Sequence, residues 1–129
     1  MVCAAAGSWS DVGVLDVAVK AGTKHFVAQR VTAVALVFLS LWFVASISGL
    51  VSLEYENVLA FLADSINGVL LALLCATLAY HSFLGVEVVI DDYVHAPVLR
   101  LYSLNLSRLA HVLIAVASVY AIVIIGFNA

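Results

Sequence analysis

His81, Gly85, Asp92 and Tyr93 lie in or just beyond one apolar stretch, and their types and spacing suggest chemistry. His81 is nine residues from Ile90, about 13 Å along a helix, too deep for easy snorkelling. An ionisable group at such depth is costly and marks function by default. Gly85 follows one helical turn later on the same face, and Asn67 and Asp92 lie close to that face by phase. A histidine beside a glycine suits a flat macrocycle: the imidazole can ligate iron, and the missing side chain lets the ring approach the helix. A histidine bonded to a neighbouring helix is the competing reading, and the residues alone leave both open. Asp92-Tyr93 sits at the end of the same stretch. Tyrosine is ordinary at that depth, where aromatic belts form. Its phenol is also a neutral donor suited to a quinone carbonyl, with Asp92 holding a nearby arginine or a water chain.

Other polar residues support blander readings. Glu87, on a different face from His81, is expected to snorkel or to pair with Arg30 or Arg100. Arg30 leads an apolar run, as an interfacial anchor or as a contact to a haem propionate or lipid phosphate. His111 is read as packing, His25 and His95 as interfacial, and Trp42 as packing or lipid-facing.

These residues need positioning elements, and composition says which. Of 129 residues, 66% are hydrophobic and 10% charged, with a mean hydropathy of +1.21. Such a chain would expose large apolar patches in water, so it belongs in lipid. Net charge is −3, with no basic patch for nucleic acid. Cys3 and Cys75 form no zinc spacing, and Cys75 inside an apolar run argues against a disulfide framework. The first basic residue is Lys20, and Asp11 and Asp16 precede any arginine; neither a secretory signal nor a transit peptide reads that way.

About 20 apolar residues cross a bilayer as a helix. Candidate spans run over about 31–51, 65–90 and 104–127, after an N-terminal segment 1–30 expected on the cytoplasmic side. The whole chain reads as one membrane-anchor domain. Ser52–Asp64 and Asp91–Ser103 read as loops, with Pro97 just past the second span. Lys20, Lys24 and Arg30 precede the first span, and Arg100 and Arg108 lie between the second span and the third or just inside it. All five basic residues thus share one side. The positive-inside rule puts the N-terminus and the second loop inside and the C-terminus outside. The expected fold is all-α and membrane-integral, with three transmembrane helices.

The run His81-Ser-Phe-Leu-Gly85-Val-Glu-Val-Val-Ile-Asp-Asp92-Tyr93-Val-His95 resembles the second helix of the small membrane-anchor (D-type) subunits of succinate dehydrogenase, respiratory complex II. The family pattern is a histidine, a glycine four residues on, and Asp-Tyr eleven and twelve residues after the histidine; all four positions are filled. Lys24-His25-Phe26-Val27-Ala28-Gln29-Arg30-Val31-Thr32-Ala33 is similar to the lead into the family's first helix, and Asp-Tyr-Val-His is typical of its alphaproteobacterial and mitochondrial branch. The resemblance covers roughly residues 20–127.

That resemblance implies a cytochrome b-type anchor of succinate:ubiquinone oxidoreductase in the bacterial inner membrane. His81 would be one axial ligand of haem b, with the second supplied by a partner anchor subunit. Tyr93 would hydrogen-bond the ubiquinone head group, and Asp92 would support that site. The iron–sulfur and flavoprotein subunits would dock on the cytoplasmic face, and succinate would be oxidised on the flavoprotein, not here. Three spans are too few to enclose a haem, so a partner with similar spans is also physically sensible. Rival readings are a fumarate reductase anchor, another haem-bearing quinone anchor, and a non-enzymatic small membrane protein. Transporters, however, tend to carry paired intramembrane charges or broken helices.

Overall fold

The computed structural model describes residues 9–50, 52 and 54–128, with side chains described from Gly22 to Gly126. It is all-helical: α1 spans Trp9–Ser48, α2 Tyr55–Ala63, α3 Ser65–Tyr93 and α4 Pro97–Asn128. Three of these are long and apolar enough to cross a membrane, over Gly22–Ser48, Ser65–Tyr93 and Pro97–Gly126. At 29 residues, α3 is about 43 Å long, against a hydrocarbon core of about 30 Å. It therefore has spare length to carry Asp91–Tyr93 into the polar interface.

The central helix is α3. It packs against α1 on one side and α4 on the other, and the backbones of α1 and α4 do not approach each other among the described residues. The spans thus form a row rather than a closed bundle. Phe61, Ala79 and Leu84 are the buried hydrophobic residues among those described. A row this thin has almost no core of its own, and its apolar faces are left to lipid or to other helices.

The helix ends differ from the sequence expectation in three places. First, α3 does not stop at Ile90 but runs to Tyr93, and α4 begins at Pro97, so the expected 91–103 loop shrinks to Val94–Ala96. Proline cannot continue a helix but suits the first position of the next, where its missing N–H leaves no bond unmade. Asp91 Oδ1 accepts from Arg100 Nε at 2.7 Å and clasps the two helices across this short link. Second, the expected outer loop contains α2. Its Phe61 ring stacks on Trp42 of α1, centroids 6.2 Å apart. Gly68 and Gly126 let its last turn settle on α3 and α4: a Cβ on either would come within 3.3 or 3.1 Å of the Leu62 carbonyl oxygen. Asp64 then caps α3, its Oδ1 accepting from the Asn67 N–H at 2.9 Å. Third, α1 starts at Trp9, so part of the expected N-terminal segment continues the first span as helix. Val51, the expected end of that span, and Cys3 lie outside the described residues.

Candidate functional site

The α1–α3 seam is polar where a membrane seam is usually apolar. Following α1 inward, three positions face α3 in antiparallel order. His25 Nε2 approaches Glu87 Oε2 at 3.3 Å, too poorly aligned for a hydrogen bond. The Gln29 amide nitrogen lies against Gly85, 3.8 Å from where a Cβ would stand. Thr32 Oγ1 meets His81 Nδ1 at 2.9 Å. The Gln29 amide oxygen is buried without a hydrogen-bond partner.

His81 is half-buried in the middle of α3, and its Nε2 makes no hydrogen bond among the described residues. His111 contrasts with it. Its Nδ1 lies 2.7 Å from the Ser107 carbonyl oxygen within α4 and its Nε2 3.2 Å from Ser82 Oγ, so both nitrogens are engaged, the second in tying α4 to α3. Its ring also meets Phe83 edge-on, centroids 5.9 Å apart. Two histidines deep in the spans thus have different states: one satisfied at both nitrogens, the other with a nitrogen to spare.

Gly85 lies one turn along α3 from His81. A side chain there would touch the end of the flexible Gln29 amide at ordinary distance and meet nothing else within 4 Å. Among the described residues no three His, Cys, Asp or Glu side chains gather into a metal cage. Porphyrin iron brings its own equatorial ligands and needs only an axial nitrogen from a helix. A spare imidazole nitrogen beside a glycine notch fits such a group.

At the end of α3, Tyr93 is 79% exposed and Asp92 is exposed beside it. The arginine expected near Asp92 is held instead by Asp91, one residue earlier. Glu87 faces His25 rather than Arg30 or Arg100. Arg30 stacks over Phe26 one turn before it, its guanidinium carbon 5.1 Å from the ring centroid, and forms no ion pair with a described residue. Its charge therefore stays available for an anionic group. His95 folds back on the Tyr93 carbonyl, Nδ1 to oxygen 3.2 Å. Thr32 carries no signal of a site residue in the sequence. It sits 49 residues from His81 and reads as a small neutral residue; the one available hint is that it shares a helical face with His25 and Gln29.

Residues 15–125 match the family described as succinate dehydrogenase/fumarate reductase transmembrane subunit. The chain is also similar to the succinate dehydrogenase hydrophobic membrane anchor subunit of Rickettsia bellii (strain RML369-C), 32% identical over 103 residues, covering 80% of this chain and 82% of the relative. The subunit of the same name from Rickettsia typhi (strain ATCC VR-144 / Wilmington) is 31% identical over the same shares. That of Rickettsia felis (strain ATCC VR-1525 / URRWXCal2) is 33% identical over 79 residues, or 61% of this chain and 66% of the relative.

Proposed function

The chain belongs to the succinate dehydrogenase/fumarate reductase transmembrane-subunit family, and on that premise we propose that it contributes one axial haem ligand and part of the quinone site to succinate dehydrogenase. It is the multi-pass membrane-anchor subunit of that enzyme, as its relatives' names indicate.

One observation carries the haem reading: among the described residues nothing hydrogen-bonds His81 Nε2, deep in a span and one turn from the notch at Gly85. His81 would hold the haem iron through Nε2, and Gly85 would leave room for the ring edge. Arg30, free of ion pairs among the described residues, would meet a propionate. Haem b would supply one-electron storage between the iron–sulfur subunit and the quinone. The open row of helices supports a second anchor subunit on its uncovered face, bringing the other axial ligand.

The quinone reading rests on the interface end of α3. Reduction of a quinone to the quinol takes two electrons and two protons. Tyr93 would donate its phenolic hydrogen to a quinone carbonyl and hold the head group there. Asp92, without an ion pair among the described residues while Asp91 takes Arg100, would accept hydrogen bonds from the water that resupplies protons. The iron–sulfur and flavoprotein subunits would dock on this cytoplasmic side.

The test is purification of the enzyme through a tag on this chain. The expected product contains a second anchor and the two peripheral subunits, shows a b-type reduced-minus-oxidised spectrum, and reduces ubiquinone with succinate. A complete complex without haem absorbance would overturn the haem reading, and one unable to reduce quinone would overturn the other.

Orientation is tested separately. Lys24, Arg30 and Arg100 lie at the end of the row opposite α2, which by the positive-inside rule is the cytoplasmic end. Tyr55 at the start of α2 is 72% exposed. With Cys3 and Cys75 replaced by serine, Tyr55→Cys should react with a membrane-impermeant maleimide added outside cells whose inner membrane is intact. Reaction only after lysis would reverse the orientation.

A further inference from the structure

We propose that Thr32 is the positioning residue for His81: its hydroxyl fixes the imidazole as the Nδ1–H tautomer and so leaves the Nε2 lone pair for iron. The proposal rests on the reading of His81 as a haem ligand and adds the group on this chain that prepares it.

The argument is one of proton accounting. A threonine hydroxyl has one proton to donate and lone pairs to accept with. Thr32 Oγ1 lies 2.8 Å from the Ala28 carbonyl oxygen and 3.2 Å from that of Gln29. Carbonyl oxygens only accept, so the hydroxyl proton is committed to the backbone of the preceding turn, a common state of threonine inside a helix. The same oxygen lies 2.9 Å from His81 Nδ1. With its proton spent, it can only accept there, so Nδ1 must be the nitrogen that carries hydrogen. A neutral imidazole has one N–H. Nε2 is then bare, and it makes no hydrogen bond among the described residues. The imidazolium alternative would put a full charge deep in a span with no acceptor on Nε2, a costly arrangement.

Two consequences follow. The bond crosses from α1 to α3, so it fixes the plane of the ring as well as its tautomer, and the ligand is oriented before a haem arrives. It also makes the imidazole a stronger donor, because a ligating histidine whose other N–H is hydrogen-bonded gains basicity. Stronger donation favours ferric over ferrous iron and lowers the midpoint potential.

The test uses the whole purified complex with Thr32→Val, which keeps the branched shape without the hydroxyl, and Thr32→Ser, which keeps the hydroxyl. Haem affinity, midpoint potential and the ferric low-spin electron paramagnetic resonance signal are read in each, with His81→Ala in parallel. The valine variant should lose on the order of 10-fold or more in haem affinity and show a raised potential and shifted g-values. The serine variant should stay near wild type. Should the valine variant not assemble, Thr32→Ala removes the hydroxyl with no added bulk and is read in the same way. A hydroxyl-free variant with wild-type potential and signal would overturn the proposal, as would a serine variant shifted as far as the valine one. His81→Ala separates this failure from failure of the underlying reading: if the haem spectrum survives that change, His81 is not the ligand, whatever Thr32 does.

Discussion

With haem held as proposed, complexes carrying His81→Ala should contain little of it, and what remains should show a five-coordinate or substituted spectrum in place of a six-coordinate one. Removing the ligand should cost at least the roughly 10–100-fold in affinity that loss of an outer partner of a metal ligand costs. Gly85→Leu should reach a similar end by a different route. The chain itself tolerates a Cβ at 85, since the nearest atom to it is the end of the flexible Gln29 amide at 3.8 Å, which can swing aside. The helices should still pack, and the imidazole should still meet Thr32, but the added branch would occupy the space a ring needs. Both variants should also weaken assembly with the proposed second anchor, because a haem shared between two chains would hold them together. The measurements are haem per complex, the difference spectrum, and the ratio of the two anchors after purification. A wild-type spectrum at full occupancy in His81→Ala would leave His81 as a packing histidine like His111.

What the sequence makes legible and what it hides divide along a physical line. Span number follows from composition, because no water-soluble arrangement could bury so much apolar surface in so short a chain. The interest of His81 follows from depth alone, since hydrocarbon penalises any ionisable group. Element ends are harder to read. Asp91 and Asp92 look like the start of a loop, yet a helix keeps carboxylates readily once it has left the hydrocarbon, and Asp91 is satisfied by Arg100 across the link. Helix α2 hides in an acidic stretch because its support is tertiary: the Trp42 ring under Phe61 and the two glycines under Leu62. Charge partners hide for a related reason. Glu87 has two arginines within plausible reach by sequence, but the phase of α1 against α3 brings His25 to it instead. Thr32 is the extreme case. Its role depends on a contact 49 residues away, and no local pattern records where one helix meets another.

Tyr93→Phe should lower succinate-to-quinone turnover while succinate oxidation with a soluble artificial acceptor stays near normal. The substitution keeps the ring at the interface and removes the hydroxyl. One hydrogen bond to an uncharged partner is worth about 1 kcal/mol, or about 5-fold in a rate or an affinity, and more if the quinone oxygen is left buried and unpaired. Packing should not contribute, because Tyr93 is 79% exposed on this chain and supports no core. The split between the two assays is therefore diagnostic: a structural defect would depress both, while a lost donor at the quinone would depress one. Asp92→Asn should act in the same direction without disturbing the helix link, since Asp91 and not Asp92 makes the clasp with Arg100. Its effect should appear in quinone reduction alone, because a neutral amide accepts hydrogen bonds from the proton-supplying water less strongly than a carboxylate. If quinone kinetics are unchanged in Tyr93→Phe, the tyrosine is an interfacial anchor, and the head group must find its donor on another subunit.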